Sequence, residues 1–167
     1  MPSKIAKDRT KLFIKKYGVD IAKAIQNSGL YFEAVVGQKC GESAYGTSPL
    51  ARNSNNFGGI RYGGGVVGAI GKTSSGYAIF PTPLECFQAY VRTLQSPSKK
   101  YVSRGVLSAQ SPEEQIKRMV SSGYSTTPPD KYLTNCQSAI DSAREICPLG
   151  KIENLNASII KIQSTTV

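Results

Sequence analysis

The stretch from Gln38 to Arg61 holds the side chains best suited to chemistry. It contains Gly41-Glu42-Ser43-Ala44-Tyr45-Gly46-Thr47-Ser48-Pro49-Leu50-Ala51, then Asn55-Asn56-Phe57-Gly58-Gly59-Ile60. Glu42 follows Val35 by seven residues, so on a helix the two share a face. Phe32, Val35, Val36 and Cys40 repeat at helical spacing and turn that face to the core. An unpaired carboxylate at the edge of a core is costly unless it keeps its proton or gains a partner. Glu42 also falls in the last turn of its helix, where the partial negative charge of the C-terminus disfavours ionisation. Both effects favour a carboxylic acid near neutral pH, the form that can protonate the leaving oxygen of an acetal. Gly41 and Gly46 are expected to leave room for a bulky substrate on either side of it.

The composition removes other chemistries. The chain has no histidine, hence no Ser-His or Cys-His pair and no histidine-bearing zinc site. Cys40, Cys86, Cys136 and Cys147 form no CxxC. Cys136 and Cys147 would lie ~16 Å apart along one helix, too far to bond to each other. Buried free thiols are the expected state, with no metal and no cofactor. Gly65 to Thr73 resembles a phosphate-binding loop, but Val66 stands where the first glycine is required and a turn follows instead of a helix.

These residues need a scaffold, and 167 residues suffice for one domain with its own core. The pattern predicts a basic amphipathic helix from Ile5 to Tyr17, an interruption at Gly18, and a resumption from Val19 to Asn27. A helix from Leu30 to about Ala44 carries Glu42, and Ser48 to Arg52 adds a single turn. Residues 53–76 contain half of the chain's 16 glycines and no acid. Phe57 to Tyr62, Val66 to Ile70 and Tyr77 to Phe80 read as extended, with Ser74-Ser75-Gly76 as a turn. Further helices run from Pro83 to Gln95, from the capping box Ser111-Pro112-Glu113-Glu114 to about Ser121, and from Asp130 to Ile146. Residues 1–147 are read as the catalytic domain and 148–167 as a tail, either docked or a short extension.

Glu-Ser-x-aromatic-Gly-x-Ser-x-Leu-Ala followed by Asn-x-Phe-Gly-x-Ile resembles the glucosaminidase domains of glycoside hydrolase family 73. Glu85-Cys86-Phe87-Gln88-Ala89-Tyr90, and Gly123-Tyr124-Ser125-Thr126 with Tyr132 after it, resemble two later segments of that family in the same order. The resemblance spans about residues 10–147 and implies an α+β, mainly α fold. In it a lysozyme-like helical lobe and a small β-hairpin lobe enclose a glycan groove. It implies an endo-β-N-acetylglucosaminidase acting on peptidoglycan, with Glu42 as general acid and Ser43 beside it. Tyr45 stands in place of the usual Trp. Asn56 and Phe57 fall on a groove-lining segment, and Tyr124 on a tyrosine near the cleavage site.

One departure bears on mechanism. Glycoside hydrolysis ordinarily uses two carboxylates. In many members of the family the second is proposed to come from the hairpin, yet residues 61–83 hold neither Asp nor Glu. Glu85 sits at a helix start, where the dipole favours a carboxylate, and is read as structural. Three alternatives stay open: assistance by the substrate's N-acetyl group oriented by Tyr124, a water held by Tyr and Asn groups, or a lytic transglycosylase using one Glu as acid and base. A muramidase, or a non-catalytic glycan-binding module, completes the field. The net charge of +10 favours a polyanion. An anionic envelope is the expected partner and nucleic acid is not, because no recognition motif accompanies the basic residues. No segment has the length for membrane insertion or the form of a signal peptide. The expected setting is therefore a monomer in the bacterial periplasm or cell wall, brought there by a holin, a secretion system or a leader since trimmed.

Overall fold

The computed structural model describes residues 1–167. Seven helices and one short hairpin make up the chain: α1 (Lys4–Ile25), α2 (Phe32–Ser43), α3 (Pro49–Ser54), β1 (Gly71–Lys72), β2 (Ala78–Ile79), α4 (Pro83–Gln95), α5 (Pro112–Met119), α6 (Pro129–Ile146) and α7 (Leu155–Thr165). A π-helical turn, Val120–Tyr124, extends α5 and closes at Gly123 with φ 102°. No helix is long and apolar enough to cross a membrane.

α2 is the central element. It is buried on nearly every side, including Gln38 and Lys39, as expected of a helix surrounded by others. It packs against α1, α5 and α6. Gly37 permits the α6 contact, since a Cβ there would lie 2.4 Å from Ile140 Cγ1 and 3.1 Å from the Cys136 carbonyl oxygen. The main core gathers Phe13, Ile14, Phe32, Phe57, Phe87 and Leu94 among its buried side chains.

Local signals in the sequence set most helix ends. Ser3, Ser48 and Ser111 accept hydrogen bonds from Ala6, Ala51 and Glu114 amides, and Pro49, Pro83 and Pro112 open their helices. Two expectations change, and one left open is filled in. Helix α1 runs unbroken through Gly18, because that glycine receives another element: a Cβ would meet Ile162 Cγ2 of α7 at 3.3 Å. Residues 148–167 are docked, with the Asn27 amide on the Ile152 carbonyl, a Tyr31–Lys151 bridge, and Ile162 buried. The hairpin is also smaller than predicted. β1 pairs antiparallel with β2, Gly71 opposite Ile79, and Arg61 adds one bridge to Tyr77. Residues 67 and 68 form a turn and no strand runs over 66–70, and glycines with positive φ at 63, 65 and 68 interrupt any regular ladder.

Candidate functional site

A groove of about 620 Å³ opens between α3 and the hairpin and reaches Glu42. Ser48, Asn53, Asn56, Thr73 and Tyr77 are among its lining residues, and Glu42 is its sole acid. The volume suits a small-molecule segment. Tyr77 carries an aromatic face from the β-lobe, with the Arg61 guanidinium 4.2 Å from its centroid.

The Glu42 carboxylate has gained partners, one of the two outcomes open to an acid at the edge of a core. Tyr132 donates to Oε1 at 2.7 Å and Tyr124 donates to the same oxygen at 3.1 Å. Lys39 Nζ lies 3.2 Å from Oε2. The Lys39 side chain is fully enclosed, while that of Glu42 keeps 19% exposure toward the groove. Lys39 also donates to the Tyr124 hydroxyl at 3.4 Å and sits 3.7 Å from the centroid of Tyr90, a cation–π arrangement. Behind this layer Gln38 binds the tyrosines together, donating to Tyr132 at 3.1 Å and accepting from Tyr90.

Burial first, then the charge of Glu42, pushes the phenols of Tyr90, Tyr124 and Tyr132 well above their ordinary range. All three remain proton donors across the working pH of a protein. The Cys136 thiol, on the same wall, is pushed up to about 12 by burial and by Glu42. The cluster therefore sets one carboxyl and one amine within a shell of neutral donors. It can hold a carboxyl in a fixed orientation at the mouth of a groove, which is what proton transfer to a bound oxygen requires.

Other sequence-selected residues fall in different places. Asn56 lines the groove, but its side chain is spent on the loop: Nδ2 donates to the Ile60 and Ala78 carbonyls, and Oδ1 accepts from the Gly58 and Ile60 amides. Phe57 points into the core, with ring centroids 4.7 Å from Tyr17 and 5.2 Å from Phe87. At 1% exposure it offers a glycan no surface. Ser43 binds the turn, donating to the Lys39 carbonyl at 2.5 Å and accepting from the Gly46 amide at 2.9 Å, and has no bond to the Glu42 carboxylate. Tyr45 belongs to a separate pocket on the α1 side, shared with Arg9, Lys16 and Tyr17. Gly46 serves packing: its φ is +79°, and a Cβ would meet Tyr17 Cε2 at 2.8 Å. Glu85 pairs with Thr82 in the first turn of α4 and is not among the groove residues.

A family profile described as mannosyl-glycoprotein endo-beta-N-acetylglucosaminidase, the glucosaminidase family, matches residues 19–145. The chain belongs to the glucosaminidase family. It is accordingly a glycoside hydrolase, and the matched segment holds α2, the groove, the hairpin and the tyrosine cluster. Two solved structures share the fold of this glucosaminidase. One is a chain of a type VI secretion system effector–immunity complex from Pseudomonas protegens, with TM-score 0.63, 20% identity, and coverage of 80% of this chain and 93% of that one. The other is the catalytic domain of the autolysin Auto from Listeria monocytogenes, with TM-score 0.61, 18% identity, and coverage of 80% and 84%. No curated protein sequence matches significantly. The mainly helical fold with its small hairpin lobe agrees with the sequence expectation.

Two features of this glucosaminidase escaped the sequence reading. Lys39 precedes Glu42 by three residues, a helical spacing that would have paired them. Its place within an apolar stripe gave no sign that its head was buried. Tyr77 is the aromatic that the hairpin contributes to the groove lining, and its spacing from Glu42 gave no sign of that.

Proposed function

We propose that the protein hydrolyses peptidoglycan as an endo-β-N-acetylglucosaminidase, with Glu42 as its acid. The observation that carries this reading is that Glu42 is the one carboxylate lining the groove. Glu42 donates its proton to the glycosidic oxygen as the anomeric C–O bond breaks and the leaving oxygen takes the bond's electron pair. Water then adds to the anomeric carbon and returns a proton to Glu42. The Tyr124 and Tyr132 hydroxyls orient the carboxyl through both steps, and Tyr77 supports a sugar ring by contact with its apolar face. Ser48, Asn53 and Thr73 supply polar contacts along the groove.

A single groove carboxylate also favours a second reading, a lytic transglycosylase. There the proton returned to Glu42 comes from the sugar's own hydroxyl and no water adds. Mass spectrometry of digested sacculi separates the two. Reducing-end N-acetylglucosamine supports the first, anhydro-muramic ends the second, and intact strands would make the protein a binding module. Under either enzymatic reading Glu42→Gln lowers turnover by ~10²–10⁴-fold with the fold retained. Near-wild-type turnover would remove Glu42 from the mechanism. We further propose that it acts as a monomer, and in the periplasm or cell wall, a location that the autolysin and effector neighbours support.

A further inference from the structure

We propose that Lys39 is a positioning residue whose fixed ammonium sets the pH range over which Glu42 serves first as acid and then as base. The proposal rests on the reading of Glu42 just given. Lysine is among the residues least often buried, and when buried it is paired. Here the entire side chain is enclosed, and its head is held from three directions. Glu42 Oε2 lies at 3.2 Å, the Tyr124 hydroxyl at 3.4 Å and the Tyr90 ring at 3.7 Å. The backbone of the loop after α3 closes the fourth side at Gly58, where a Cβ would stand 2.9 Å from Nζ. An ammonium so enclosed cannot swing away from the carboxylate as a surface lysine does.

The groups that face Glu42 come from several elements. α4 presents Tyr90 and Cys86, α6 presents Tyr132 and Cys136, and the turn after α5 presents Tyr124. Burial raises every one of these phenols and thiols, so all stay neutral where carboxyl groups titrate. Lys39 is the one charged side chain within ion-pair distance of Glu42. Its effect on the two steps is opposite. It stabilises the carboxylate that exists between proton donation and proton return, so donation to the leaving oxygen is easier. It also reduces the fraction of molecules that hold the proton as pH rises. A single carboxyl that must alternate between two protonation states gains from a neighbour that keeps them close in energy.

Lys39→Met tests this, because it keeps an unbranched stem over Tyr90 and removes the charge. The Glu42 carboxyl is titrated by carbon-13 NMR in the free protein, its signal assigned by loss in Glu42→Gln. The pH profile of sacculus cleavage is measured alongside. An opposite charge at this range is worth ~1–3 pH units. The expected result is that the Glu42 midpoint and the alkaline limb of activity move up together by that amount, with a lower rate at the acid end. An unmoved carboxyl titration overturns the role of Lys39 while leaving the reading of Glu42 intact. A moved titration with an unmoved activity profile sinks Glu42 as the acid, and the proposal with it. Lys39→Gln, which keeps a polar head in the same space, repeats the test where Met is not accommodated. If neither variant folds, Lys39 is a structural cation and the proposal falls.

Discussion

Gly58→Ala should damage the site while leaving the fold nearly untouched. Gly58 does not adopt a positive φ, so the backbone accepts alanine. The obstacle is space: the new Cβ would lie 2.9 Å from Lys39 Nζ and 3.0 Å from Glu42 Oε2, where ordinary contact begins near 3.4 Å. Relief of about half an ångström must come at both heads or from the loop that carries Gly58. Lys39 is enclosed and rests on Tyr90, whereas Glu42 keeps an open side toward the groove, so the carboxylate is the group that moves furthest. Its bonds from Tyr132 at 2.7 Å and Tyr124 at 3.1 Å then stretch or break. A misplacement approaching 1 Å costs up to about 10²-fold, or about 2.7 kcal/mol of transition-state stabilisation at ~1.36 kcal/mol per tenfold. Turnover of purified sacculi should fall by about ten- to a hundredfold, with Tm within a few degrees of wild type. Gly41→Ala is the control, because the nearest atom to its Cβ is the Asn135 carbonyl oxygen at 3.8 Å. That change should keep activity and add ~0.5–1 kcal/mol through helix propensity. Wild-type turnover in Gly58→Ala would refute the claim that this tight cluster governs the acid.

Phe57→Ala should lower Tm by roughly 6–20 °C, from a core loss of ~3–5 kcal/mol at about 2–4 °C per kcal/mol for this size. Activity per folded molecule at low temperature should stay within a few-fold, and selective loss of substrate affinity would return Phe57 to the groove. Glu85→Gln should keep most activity, since its partner is Thr82 at a helix start. A loss like that of Glu42→Gln would make Glu85 the second carboxylate. Tyr124→Phe should cost about tenfold or more, as expected of a hydrogen bond to a charged group worth ~1.5–3 kcal/mol. Asn135→Ala should cost little, and equal small effects would confine Tyr124 to packing. Cleavage of insoluble sacculi should weaken between 0.1 and 1 M salt as the Debye length falls from ~10 to ~3 Å. Cleavage of a short uncharged chitooligosaccharide should not, and parallel loss on both would place the salt effect in the fold or the groove.

The helices were legible because their signals are local. Ser111 with Glu114, and proline at the first turn of α3, α4 and α5, act within four residues of themselves. That α2 turns one face to the core was legible from its apolar spacing, and the burial of its other positions, Gln38 and Lys39 among them, was not. What the sequence hid depends on partners far along the chain. Gly18 reads as a break until Ile162 is known to rest on it. Asn56 and Phe57 were found by motif, but a motif gives position and not the direction of a side chain. One proved to be the internal brace of its loop and the other a core ring. Glu42 was found, yet its chemistry was judged from its own helix alone. Tyr132 lies 90 residues away, and its bond to the carboxylate exists only in the folded chain.

The docking of residues 147–165 onto α1 and α2 bears on how the molecule is made. The Gly150 carbonyl receives the Phe32 amide, the Gly150 amide reaches Glu33, and Ile162 fills the hollow at Gly18. These contacts close more than a hundred residues of chain, so they raise the contact order and are expected to form after the local helices. While the ribosome still holds this segment, the Phe32 amide lacks its Gly150 acceptor and Gly18 lacks its Ile162 neighbour. Completion of the enzyme therefore waits on release of the segment from the exit tunnel. A cell making this glucosaminidase is therefore expected to hold each nascent copy unfinished until synthesis has passed α7.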